Sequence, residues 1–300
     1  MTTTDHSWLL DGQGLVTPTV EWSVRTRGPL VEVRHAPECQ ETFAADISGS
    51  LYRLNIQGEI TRRKGKFPHT SRIYWCSSGE LGVVCQKAFK VSLVNRDFEV
   101  EWEAKFREDV RAVAISHNGD YVAVALSDSQ IILFDRYKKR IAKVPTRRSL
   151  DDLHFVWEEP AIVGSSDLGL LCKFSLKGKI DWMISPTSRS SQAKVNSDGS
   201  RIYLSAHNRG IQVYDGEGEL LGAYQIKGIP QLLSLSPAGN RLAVLTTNAL
   251  LFWMDLQGKL LWVAPVPEQI VSIDCDGFGS RLILGLETGE ITCLNWSLEN

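Results

Sequence analysis

The chain is short of the features that announce a membrane span or a known chemistry. Among its 300 residues no apolar run approaches the roughly 18 that a membrane helix requires. Residues 1–14 show no basic segment leading into an apolar one, so they do not read as a secretory signal. A formal charge of −2 excludes a globally basic nucleic-acid coat, while leaving room for a locally basic face. The cysteines at 39, 76, 85, 172, 275 and 293 form no C-x-x-C and no paired spacing. They read as reduced core thiols, and a cytoplasmic location is the expectation. There is no phosphate-binding G-x-x-x-x-G-K-[ST], no G-x-S-x-G and no H-E-x-x-H. No cofactor and no metal is expected. A sustained 3.6-residue apolar period with caps is missing too, so helix should be scarce.

What the chain does have is repetition. Short β-rich runs begin at Thr42, Leu81, Tyr121, Ala161, Ile202, Leu242 and Leu282, and successive starts differ by 39, 40, 40, 41, 40 and 40 residues. Such a period is the signature of a repeat architecture. The unit around Gln231–Ala264 shows four strand-like pieces bounded by Pro, Gly, Asn and Asp. Four strands every forty residues, seven times, predicts an all-β fold: a seven-bladed β-propeller of four-stranded antiparallel blades occupying residues 1–300 as one unit. The expected blades are 27–66, 67–106, 107–147, 148–188, 189–227, 228–266 and 267–300.

A tryptophan recurs at 22, 102, 182 and 262, two blade periods apart, on strands whose residues alternate between faces. The last unit has three strand-like pieces up to Trp296 and lacks a fourth. Trp22 lies seven periods before that vacant register, so 18–26 is expected to supply the outer strand of blade 7 and close the ring. Residues 11–15 fall in register with 291–294, which gives the first segment no evident place.

The units resemble a degenerate WD40 family, over the whole chain. Ser116-His117-Asn118-Gly119-Asp120, Asn196-Ser197-Asp198-Gly199 and Ser236-Pro237-Ala238-Gly239 resemble that family's S-P-D-G turn. Ile132-Leu133-Phe134-Asp135, Ile211–Asp215 and Phe252-Trp253-Met254-Asp255 resemble its I-x-x-W-D strand, with the acid replaced at Asn55 and Ser175. The family's Gly-His dipeptide is missing from every unit, so its His–Asp network does not carry over. Ala44–Leu54 leans instead toward quinoprotein-like propellers, which share the fold. The WD40 resemblance implies a non-catalytic protein-interaction scaffold.

A propeller enzyme would build its site around the central channel. His35, His154 and Asp274 are the candidates there, but their spacing gives no reason to converge on a metal. Charge carries the remaining functional signal. By the resemblance, interblade connections and second-to-third-strand turns share one end of the ring. Lys66, His69, Arg72, Arg107, Arg111, Arg147, Arg148, Arg189, Lys194 and Lys227 fall near the connections, and Arg209 in a turn. On the connections fewer acids oppose them, Glu108, Asp109, Asp151, Asp152 and Glu268, whereas the turns roughly balance, with Asp46, Asp128, Asp167, Glu287 and Glu290 against Lys87, Lys90 and Arg209. The expected partner is a protein presenting an acidic or phosphorylated segment to this face. A propeller enzyme and a nucleic-acid-associated propeller are the alternatives.

Overall fold

The computed structural model describes residues 6–87, 89–237 and 240–296, so part of the Ser236–Gly239 turn lies outside the described residues. Seven antiparallel sheets follow one another around a ring. In blade 1 the strands run from inner to outer as Leu30–Ala36, Glu41–Asp46, Ser50–Leu54 and Ile60–Gly65, and the pattern repeats through blade 6. The seven-bladed, four-stranded ring expected from the period is the one observed. The 3-10 turn Ser7–Asp11 is the helical element among the described residues.

Ring closure is as the tryptophan register implies. Thr19–Arg25 forms the outer strand of blade 7, pairing antiparallel with Glu290–Asn295 so that Trp22 faces Cys293. The Glu21 carboxylate accepts from Arg281 Nη2 at 2.9 Å and from Asn295 Nδ2 at 2.9 Å, tying the two regions of sequence together. The segment before it goes elsewhere than its register suggests. Gln13 and Gly14 pair with Val263 and Trp262, adding a fifth strand to blade 6, and Trp8 and Leu9 pack into the core between blades 6 and 7. Burial decides this: Trp262 is fully buried, and the ring of Trp8 covers it at 6.1 Å.

The turn between third and outer strands shows why the acidic residue of the third strand is replaceable. Asp135 accepts from the backbone N–H groups of Tyr137 at 2.9 Å and Lys139 at 2.8 Å. Asn55 does the same for Gln57 and Glu59, and Asn95 for Asp97 and Glu99. One side-chain oxygen two and four residues upstream is all that this turn demands. The chain then passes through a left-handed residue, which is Gly58, Gly178, Gly218 and Gly258 in four blades but Phe98 and Lys138 in two others.

Candidate functional site

The ring has two ends, identified by hydrogen bonds. At the upper end each second-to-third-strand turn bonds to an interblade connection, as in Lys87 N to His69 O, Ser127 N to Asp109 O, Thr146 N to Ser129 O and His207 N to Arg189 O. At the lower end the first-to-second-strand turns bond to one another around the channel, as in Ser77 N to His117 O and Trp157 N to Ser197 O.

The eleven residues predicted to bind a partner divide into two groups. Lys66, His69, Arg107, Arg147, Arg148, Arg189, Arg209 and Lys227 are exposed on upper connections and turns. Arg111 is exposed near the same end, but its Nε donates to Asp151 Oδ1 at 3.0 Å and its charge is neutralised there. Arg72 and Lys194 are not on connections at all. They lie on the inner strands Thr70–Trp75 and Ser190–Val195, and their electrostatic partners are channel residues. Strand alternation explains the difference: inner-strand residues two apart share a face, and that face meets the other blades.

The upper face is mixed in charge, as the sorting of turns implies. Its turns and connections also carry Glu108, Asp109, Asp128, Asp151, Asp167, Glu268 and Glu287. The bias is local instead. Arg107, Arg147, Arg148, Arg189 and Arg209 follow one arc from the blade 2–3 junction to blade 5, and among the described residues none forms an ion pair.

The channel holds a network that sequence reasoning missed. Glu32 Oε2 accepts from Ile73 N at 2.6 Å, Asp152 Oδ2 from Ala193 N at 3.2 Å and Gln192 Oε1 from Leu233 N at 2.7 Å. Ser234 Oγ accepts from Cys275 N at 2.8 Å, and Asp274 Oδ2 from His35 N at 2.8 Å. Each is an inner-strand side chain capturing the backbone of the next blade's inner strand, so five of the seven junctions are stitched from inside. At the other two junctions Arg72 offers no acceptor and Ala112 no polar atom; apolar clusters spanning blades 2–3 and 3–4 hold them.

Charges in the channel are mutually compensated. Glu32 pairs with Arg34, whose guanidinium also lies over the Tyr74 ring at 4.4 Å. Burial works against the Arg34 charge, yet Glu32 and its neighbours hold its pKa above the ordinary value. His154 Nε2 lies 3.1 Å from Asp152 Oδ2 and 3.5 Å from Lys194 Nζ. Burial pushes the His154 imidazole down despite Asp152, and pushes the Lys194 ammonium down as well. Burial also lowers His35, against the pull of Asp274, and raises the Tyr74 phenol to about 12.

At the lower mouth these groups line a cavity of about 140 Å³ bounded by His35, Tyr74, His117, His154 and Asp274, with Trp75, Phe155 and Trp157 among its apolar walls. His35, His154 and Asp274 therefore do converge, contrary to what their spacing implied. Ring closure brings inner strands of blades 1, 4 and 7 to one axis. They do not form a metal site: among the described residues no group of three or more His, Cys, Asp or Glu is placed to hold an ion. Cys275 also lines the cavity, and burial raises its thiol pKa far above the ordinary range, so it presents no thiolate nucleophile. His117 stacks on Trp157 at 5.5 Å and leads into a second depression of about 270 Å³ between blades 3 and 4.

No protein-family model matches the chain, and no curated protein matches it in sequence. Among solved structures it is similar to the β-propeller domain of Cps50 (Swd1) from Myceliophteria thermophila, with a TM-score of 0.80 at 17% identity, covering 93% of this chain and 100% of that one. That likeness is one of fold, and it agrees with the β-propeller expected from the repeats. No helix among the described residues is long and apolar enough to cross a membrane.

Proposed function

We propose that the protein is a non-catalytic interaction scaffold that docks an acidic or phosphorylated segment of a protein partner on its upper rim. One observation supports this best: Arg107, Arg147, Arg148, Arg189 and Arg209 are exposed along one arc and unpaired among the described residues. Guanidinium groups on consecutive blades present forks at intervals that an extended anionic chain can follow. His69, Lys66 and Lys227 extend the rim to either side, whereas Arg72, Lys194 and Arg111 serve the ring itself. The compensated channel network supports a structural role for the ring's interior.

The test is anisotropy titration of an Asp/Glu-rich peptide and its phosphoserine counterpart across a salt series, with single-stranded DNA as comparator. Binding that weakens as salt rises, and that disappears in Arg147→Glu/Arg148→Glu/Arg189→Glu, is expected. Failure of both peptides to bind at low salt would remove the proposal.

A second reading has its own observation, the convergence of imidazoles, phenol and carboxylate on the lower cavity. It makes that mouth a small-molecule or active site. A ligand that raises the melting temperature of the native chain but not of Tyr74→Phe/His117→Ala would favour it.

A further inference from the structure

The outer strand of each blade is an exposed sheet edge, and edges of soluble proteins are guarded by charge or by a covering segment. Five of the seven outer strands carry charge within their bounds: Arg62–Lys64 in blade 1, Glu101 in blade 2, Arg140 in blade 3, Asp181 in blade 4 and Glu21 in blade 7. Two carry none, Leu220–Tyr224 in blade 5 and Leu260–Pro265 in blade 6. The chain covers the second itself, through Gln13 and Gly14 and the bond from Leu15 N to Leu261 O at 2.8 Å. The first is bare. Leu220 and Leu221 are 53% and 52% exposed, and a Cβ built on Gly222 would meet nothing within 4 Å.

We propose that this bare edge pairs antiparallel with the same edge of a second copy of the chain, on a two-fold axis through Gly222. The covered edge shows which groups are free for this. Leu261 and Val263 turn their backbone outward to the first segment, and forty residues earlier the same places are Leu221 and Ala223. An axis at Gly222 sets Leu221 opposite Ala223 of the second copy and Ala223 opposite Leu221, two pairs that exchange backbone hydrogen bonds. Leu220 then faces Tyr224, an apolar contact on both sides of the axis. Just beyond the strand, Glu219 meets Gln225, a polar pair repeated by symmetry. This self-complementarity singles out a second copy as the occupant. Gly222 meets its own counterpart at the non-bonded position, where the chains approach most closely and a side chain would interfere most.

So short an edge buries less than the roughly 1,200 Å² of a stable interface, so a Kd of about 10 µM to 1 mM is expected. Sedimentation velocity on the full chain should show dimer growing with concentration over that range. Leu221→Lys/Ala223→Lys leaves the inward bonds intact and should weaken dimerisation by at least about tenfold. Register is read independently by mild oxidation. Gly222→Cys should give an intermolecular disulfide, because the non-bonded pair lies about 4.5 Å apart and within disulfide reach. Ala223→Cys, whose counterpart faces Leu221, should not cross-link above the native background. A monomer throughout, a dimer indifferent to the lysine pair, or equal cross-linking at 222 and 223 would each overturn the assignment.

Discussion

Replacing Glu32 by Gln tests whether the channel network is a dry structural stitch. Glu32 and Arg34 are 7% and 9% exposed, and the two oxygens of Glu32 are committed, one to Arg34 and the other to Ile73 N at 2.6 Å. Arg34 Nε in turn donates to Ile73 O at 3.2 Å, so the pair clamps blade 1 to blade 2. Gln keeps the volume but has one acceptor and one donor end. Whichever way it turns, an N–H faces either the Arg34 guanidinium or Ile73 N. The buried guanidinium also loses its counter-charge. Breaking one partner of a buried pair costs about 3–5 kcal/mol, which for a chain of this size is a fall in Tm of roughly 6–10 °C. Arg34→Met alone leaves the carboxylate uncompensated and should cost a similar amount. Glu32→Gln/Arg34→Met removes both charges, and most of the loss should return, giving a coupling energy of about 2–4 kcal/mol in a double-mutant cycle. Urea titration with a constant m-value is the assay. A coupling below about 0.5 kcal/mol would mean that channel water solvates Arg34 freely, and the description of the channel as a compensated, desolvated network would fall.

Three further outcomes follow from the same geometry. Deleting residues 1–26 removes the outer strand of blade 7 together with Trp8 and Leu9, and bares the buried Ile291 and Leu294; Tm should fall by at least about 10 °C in calorimetry, and an unchanged Tm would refute closure by this strand. Burial holds His35 and His154 below their ordinary 6.5, so the unfolded chain takes up protons first as pH falls. Stability should therefore be whole above pH 6.5 and decline between 6.5 and 5 by at most about 1.4 kcal/mol per pH unit per histidine, with a shallower slope in His154→Gln; urea melts showing a flat or rising profile on acidification would contradict it. A Cβ at Gly12 would lie 2.2 Å from Trp262 Nε1. Gly12→Ala should thus dislodge the first segment from blade 6, seen as faster amide exchange at Leu15 without global unfolding.

The forty-residue period, the alternation within each run and the Asp, Asn and Gly at the turns were legible without coordinates, because each is a local demand of a strand or a turn. The same arithmetic located Val20–Val24 as the closing strand, since a register counted modulo one blade survives any distance along the chain. Polar residues recurring at 32, 152, 192 and 272, and at 34, 154, 194 and 274, were a usable sign of the channel network that went unread. On a strand otherwise so apolar, only a shared polar interior accounts for them. Other features carried no local signal. The surroundings of the recurring tryptophan are set at the seam with the next blade. Trp22 lies against Gly58 and Trp182 against Gly218. Where the outer strand has Arg62, Phe98 turns in from the neighbouring turn and is fully buried, and where it has Gly222, Tyr224 meets Gly258. Two residues joining blade 6, three groups meeting at one cavity and an arc of arginines unpaired among the described residues all depend on distances between segments tens to hundreds of residues apart. Sequence periodicity determines how many blades there are and how each is built; only closing the ring decides which side chains face one another across it.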